Sequence, residues 1–189
     1  MKTTIQLKAV LFFVIGCMIF TFSLSSCMHP AAKSTTDTTA AKPKQKPIAS
    51  PRDSVSGVVA GDSITINYGS PSVKGRVIWG KLVPYDTVWR TGANEATRFT
   101  TKKDIMVEGK KLPAGTYGFF AIPTATKWTI IFNSVPNQWG AFKYDKTKDV
   151  LRVVVTPKAS AMTERLVYAI DASGFSFTWD KLTVPVTIK

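Results

Sequence analysis

Cysteine and histidine are almost missing: 189 residues hold two Cys and one His. So few of either excludes a disulfide-rich scaffold and a zinc or copper centre built from thiolate and imidazole. It also removes the usual base of Ser-His-Asp and Cys-His catalysis. A Ser-Lys pair remains formally available, but no S-x-x-K stands in a helical setting. Acids are scarce too, 12 against 25 Lys and Arg, which leaves a net charge of +13. They are dispersed, and no D-x-D-x-D loop gathers them for calcium. No Gly-rich phosphate loop precedes a helix, and helical periodicity hardly appears. We therefore expect no metal and no cofactor.

What the chain does have begins at its N-terminus. Lys2 and Lys8 precede a run of 14 almost wholly apolar residues, Ala9 to Phe22, followed by Ser23, Ser25 and Ser26. A positive start, a short apolar core and small residues before a cut describe a secretory signal, residues 1–26. Leu24-Ser25-Ser26-Cys27 also resembles a bacterial lipobox. That resemblance implies that Cys27 becomes the first mature residue and carries lipid. Several acyl chains at about 0.8 kcal/mol per buried methylene hold such an anchor almost permanently. The other reading is an uncleaved anchor, because no charge stands between Lys8 and Lys33 and a span of about 20 residues is available. Either way the rest of the chain is exported and tied to a membrane. No acidic run follows Cys27, which by analogy places it in the outer membrane facing the periplasm. With Cys17 removed and Cys27 lipidated, the body has neither thiol nor disulfide and depends on its core for stability.

Residues 27–50 are rich in Ala, Thr, Lys and Pro, with little to bury, and read as a disordered linker. As a coil its ends lie on the order of 25 Å apart. His29 reads as an ordinary linker residue, while Lys42, Lys44 and Lys46 suit anionic headgroups. From residue 51 onward the chain holds 19 basic and 11 acidic residues, a net +8. The basic residues are scattered and no recognition motif appears, so nucleic acid is a poor partner.

Residues 51–189 alternate. Ile64, Ile66 and Tyr68 share one face of a strand, as do Trp128, Ile130 and Phe132, then Leu151, Val153 and Val155, and Leu166, Tyr168 and Ile170. Ile105 and Val107 mark a short strand that turns at Gly109-Lys110-Lys111. Thr116 to Ile122 is apolar on both faces and belongs at the centre of a sheet. Phe175, Phe177 and Trp179 alternate, and so do Leu182, Val184, Val186 and Ile188; Asp180 and Lys181 between them suggest a tight hairpin, with Pro185 marking an edge strand. The pattern predicts an all-β, antiparallel, jelly-roll-like β-sandwich of roughly eight to ten short strands, large enough to bury about two-thirds of its unfolded surface. Trp79, Trp128 and Trp179 read as core or edge packing.

Five segments together resemble one family: YGSPSVKGR (Tyr68 to Arg76), VPYDTVWRTGANEAT (Val83 to Thr97), VEGKKLPAGTYGFFAIP (Val107 to Pro123), WTIIFN (Trp128 to Asn133) and QWGAFKYD (Gln138 to Asp145). They are similar to the domain of unknown function 2911 family, small exported bacterial proteins common in the Bacteroidetes. The WRTGANEAT stretch is the most specific. Where the family pattern often has Arg, this chain has Ser70. The resemblance implies a mostly β domain in the periplasm or at the surface, and no activity.

Polar and aromatic residues crowd the turn-rich segments. Arg76, Trp89, Arg90, Asn94 and Glu95 come from one stretch, and Trp139, Lys143 and Tyr144 from another. Arg offers a planar fork to carboxylate or phosphate, and Trp and Tyr offer flat faces to sugars or apolar ligands. Loops at one end of a sandwich are where such sites are built. A buried polar network that pins the 69–94 connection to the sheets, with both Trp in the core, accounts for the same residues. We read the body as a non-catalytic module that binds an anionic glycan or another envelope protein. Two alternatives stand beside it. One is a His-free hydrolase acting on glycans through Glu95, with Asp86 or Asp145 as the second carboxylate. The other is a purely structural interaction module.

Overall fold

The computed structural model describes residues 49–189. The expected secretory signal, Cys27, His29 and nearly all of the expected linker lie outside the described residues.

Ten strands follow one another: β1 (Arg52–Val59), β2 (Asp62–Gly69), β3 (Thr97–Thr101), β4 (Ile105–Val107), β5 (Lys110–Leu112), β6 (Gly115–Pro123), β7 (Trp128–Asn133), β8 (Asp149–Val155), β9 (Lys158–Asp171) and β10 (Gly174–Thr187). One 3-10 turn, Lys146–Lys148, precedes β8. Six strands form an antiparallel sheet in the order β1-β2-β3-β6-β7-β8, an up-and-down path interrupted only by the β4–β5 hairpin. The β9–β10 hairpin lies across it as a second layer. Met106 and Lys189 exchange two backbone hydrogen bonds of 2.9 Å, so β4 joins the end of β10 and the second layer runs β9-β10-β4-β5. The all-β sandwich expected from the alternation is what forms.

The layers meet at their margins without closing into a barrel. At one margin Gly57 lies so close to β9 that an added Cβ would stand 2.7 Å from Ile170 Cγ2. At the other, Lys110 Nζ donates to the Arg152 carbonyl at 3.3 Å. Between the layers the inward residues of β2, β3, β6, β7 and β8 pack on Leu166, Tyr168, Phe175, Phe177 and Trp179. Phe99, Phe119, Phe132 and Phe175 sit with ring centroids 5.1–5.5 Å apart in four of their pairings. Each such side chain contributes about 1.5–3 kcal/mol by leaving water, and no crosslink substitutes for it. β6 is buried on both faces, as its composition requires, because a smaller cluster of Ala96, Phe120 and Ile131 lies beneath residues 134–148 on the outer side.

Two expectations are corrected. Asp180 and Lys181 make no hairpin: β10 runs through them as one strand, and the turn lies at residues 172–173. Asp180 has φ 54° and the register with β9 shifts on both sides of it. This bulge moves the buried face from Phe175, Phe177 and Trp179 to Val184, Val186 and Ile188, an odd-to-even change that a continuous ladder cannot make. Pro185 does not mark an edge. The ladder to β9 ends at Thr183 and bonding to β4 begins at Thr187, so Pro185 falls between two partners, where its missing N–H costs nothing.

Candidate functional site

The outer face of β1, β2, β3 and β6 is polar because the alternation that buries Ile64, Ile66 and Phe99 turns their neighbours outward. Register sets Ser56, Thr65, Thr100 and Thr116 in one row across four strands, with hydroxyl contacts of 2.9 Å and 3.1 Å. The next row is Ser54, Asn67, Arg98 and Gly118. A Cβ at Gly118 would stand 2.7 Å from the Val135 carbonyl, so its absence lets the segment after β7 lie on the sheet. Buried Asn133 holds that segment: its Nδ2 donates to the Asp145 carbonyl at 2.9 Å and to Asp149 Oδ1 at 2.8 Å, and its Oδ1 accepts from Val135 N–H at 3.0 Å.

The same segment pairs with the approach to β3. Ala96 N–H donates to the Gln138 carbonyl at 2.9 Å and Gly140 N–H to the Asn94 carbonyl at 3.0 Å, which sets Glu95 opposite Trp139. Beside this pair lies a groove of about 460 Å³ lined by Arg52, Glu95, Arg98, Asn137, Gln138 and Trp139, among others. One neighbouring hollow of about 410 Å³ shares Trp139 and adds Phe142 and Lys143. Another, of about 360 Å³, shares Arg52 and Arg98 and reaches Asp53 and Asn67. Trp139 is 61% exposed and Phe142 85%. Large aromatic faces left in water beside amide, guanidinium and carboxylate groups match what a sugar presents, C–H faces and ring hydroxyls.

Glu95 meets Arg52 at 3.4 Å in an exposed ion pair. It is the single carboxylate on the wall of the 460 Å³ groove. Asp86 and Asp145 line none of these hollows; the Asp145 side chain accepts from Thr147 and starts the 3-10 turn. Glycoside hydrolysis needs two carboxyl groups on opposite sides of the bond. Tyr144 also lies apart. Its ring packs on Phe120 at 5.2 Å, its hydroxyl donates to Asp149 Oδ2 at 2.5 Å and accepts from Arg152 Nη2 at 2.6 Å. Burial and the Asp149 carboxylate push its hydroxyl up to about 12.

The remaining sequence candidates gather elsewhere. Arg76, Trp89, Arg90 and Asn94 line a separate cavity of about 240 Å³. The long connection that carries them is tied down on both sides. Ser72 bridges to Arg165 of β9, and Trp89 exchanges two backbone bonds with Ala121 of β6 at 2.8 Å and 2.9 Å. Buried Thr91 donates to the Phe119 carbonyl at 2.9 Å, and its own carbonyl accepts from Thr97 at 3.1 Å and Tyr168 at 2.8 Å. The polar pinning network is therefore real, with Trp89 in the core but Trp139 outside it. Burial depresses the Arg90 guanidinium.

A family model described as a protein of unknown function (DUF2911) matches residues 50–188. The chain belongs to that family. No curated protein and no solved structure matches it. Within this DUF2911 domain the WRTGANEAT stretch, Trp89 to Thr97, serves both hollows: its first half lines the 240 Å³ cavity and Glu95 and Ala96 line the groove.

Sequence reasoning missed two parts of this DUF2911 domain. Arg52, Arg98 and Gln138 belong to the groove and Phe142 to the hollow beside it, which only the folded arrangement shows. Trp79, Trp89, Trp128 and Trp179 form one cluster, with centroids 4.9–6.2 Å apart. Trp79 reaches it from the 69–97 connection rather than from a strand. Among the described residues no group of three or more His, Cys, Asp and Glu is placed to hold a metal ion.

Proposed function

We propose that this protein is an exported lipoprotein, anchored through Cys27 in the outer membrane and facing the periplasm, whose β-sandwich binds an extended anionic glycan without cleaving it. The observation that carries the binding role is Trp139, exposed beside Arg52, Glu95, Arg98 and Gln138 in an open groove. Trp139 and Phe142, both largely exposed, border the same hollow, and clustered apolar surface of this kind favours a binding role. Arg52 and Arg98 outnumber Glu95 on the wall of the groove, which favours sugars bearing carboxylate or phosphate. The lone carboxylate, held by Arg52, speaks for binding over hydrolysis.

Two experiments test the proposal. Full-length protein in detergent is applied to an array of envelope-derived oligosaccharides. Retention of acidic glycans, lost in Trp139→Ala and kept in Glu95→Gln, supports it; no retention, or turnover that Glu95→Gln abolishes, contradicts it. Cells fed labelled palmitate test the anchor. Label is expected on the wild-type chain and not on Cys27→Ser.

A further inference from the structure

The 240 Å³ cavity has a chemistry of its own. Its charged wall residues are Arg76 and Arg90, and no carboxylate lines it. Among the described residues neither arginine forms a salt bridge. Arg76 is fixed by donating to its own turn, from Nε to the Val73 carbonyl at 3.0 Å and from Nη2 to the Ser72 carbonyl at 2.5 Å.

Arg90 is half-buried on its wall and, among the described residues, its Nε has no hydrogen-bond partner. A guanidinium taken partly out of water without a counter-charge is costly. Burial lowers the basicity of Arg90, and no acid opposes that. Trp179 and Trp89 lie nearly parallel, 16° apart at 6.0 Å, and both line the cavity. They supply an apolar wall beside the two arginines.

We propose that this cavity is a binding site for a small oxyanion, a carboxylate or phosphate group, held by the Arg90 guanidinium with the Arg76 guanidinium at its rim. The carbon skeleton of the ligand packs against the Trp89–Trp179 pair. A bound anion would give Arg90 a counter-charge, which a water molecule cannot do. The site stands apart from the Trp139 groove and does not depend on glycan binding there.

The test uses full-length protein in detergent, titrated at pH 7 with sodium phosphate or sodium acetate against sodium chloride at equal ionic strength. Thermal unfolding and tryptophan emission are read together. The expected result is a saturable rise in Tm of several degrees with at least one oxyanion, accompanied by an emission change. A response to phosphate alone assigns a phosphate ligand, and one to acetate alone a carboxylate. Arg90→Gln should abolish the response, Arg76→Gln should weaken it about tenfold, and Trp139→Ala should leave it intact. If Arg90→Gln fails to fold, Arg76→Gln decides, since that side chain is exposed. No response beyond chloride, or an unchanged response in the arginine variants, overturns the proposal.

Discussion

Glu95 and Trp139 face each other across an isolated antiparallel bridge, although 43 residues separate them in the chain. Two backbone hydrogen bonds on either side of the pair fix that juxtaposition. It brings two polar-aromatic runs side by side along one groove. Removing the indole should therefore affect binding and not folding. We predict that Trp139→Ala changes unfolding free energy by less than about 0.5 kcal/mol, the usual range for surface substitutions. Urea titration checks this. A large loss of stability would mean that Trp139 is a structural prop.

Trp128 should behave in the opposite way. It is 1% exposed and its ring lies 4.9 Å from that of Trp79. Trp128→Ala is expected to cost about 3–5 kcal/mol, because the cavity it leaves among Trp79, Trp89 and Phe177 cannot collapse readily. The same urea titration should show an unchanged slope and an earlier midpoint.

Asp62 gives the domain an acid-sensitive fastening. The side chain is 3% exposed, and burial alone would raise its pKa. Hydrogen bonds from the Thr101 hydroxyl and the Lys103, Ser63 and Lys102 backbone N–H groups outweigh that and hold the carboxyl below its usual value. A depressed folded pKa stabilises the fold above the unfolded value near 3.8, and the contribution disappears as pH falls through the lower folded value. Asp62→Asn should cost about 2 kcal/mol at neutral pH. It should also flatten the acid limb of stability against pH. A parallel acid limb in the variant would show that Asp62 is not the group responsible.

Tyr144 sets the alkaline limit in the same manner with the sign reversed. Its folded pKa, about 12, lies above the ordinary 10.0. Its contribution is whole below pH 10 and is lost as pH rises from there towards 12. Tyr144→Phe should lower Tm at pH 8 and shrink the alkaline decline, measured by circular dichroism. An unchanged decline would assign it to other tyrosines.

Gly69 positions the 90–94 segment, and so the smaller cavity. A Cβ there would stand 2.1 Å from the Ala93 carbonyl oxygen, a backbone atom with nowhere to move. Gly69→Ala should displace Ala93 and cost more than about 1 kcal/mol. Retained wild-type Tm and tryptophan emission would refute that close approach.

Much of the fold was legible because burial on one face imposes period two. Ile64, Ile66 and Tyr68 fall inward as their spacing predicts, and β6 is central because both of its faces are apolar. β1 escaped notice since its residues from Arg52 to Ser54 and Ser56 are exposed and Val55 and Gly57 only half-buried. Asp180 misled because a bulge and a hairpin both interrupt alternation, and only the partner strand distinguishes them. The site was legible in its residue types and not in its grouping. Arg76 to Asn94 and Glu95 to Lys143 look like one constellation along the chain, yet non-local pairing divides them among three hollows. Tyr144, two residues from Phe142, turns towards Phe120 and Asp149 instead.

The most direct measurement uses the five indoles of the chain. Full-length protein labelled with nitrogen-15 at tryptophan is titrated with an acidic envelope oligosaccharide, and the indole N–H resonances are followed by nuclear magnetic resonance. A glycan in the groove should shift the Trp139 signal saturably and leave those of Trp79, Trp89, Trp128 and Trp179 in place. A stationary Trp139 signal at saturating acidic glycans would contradict the account.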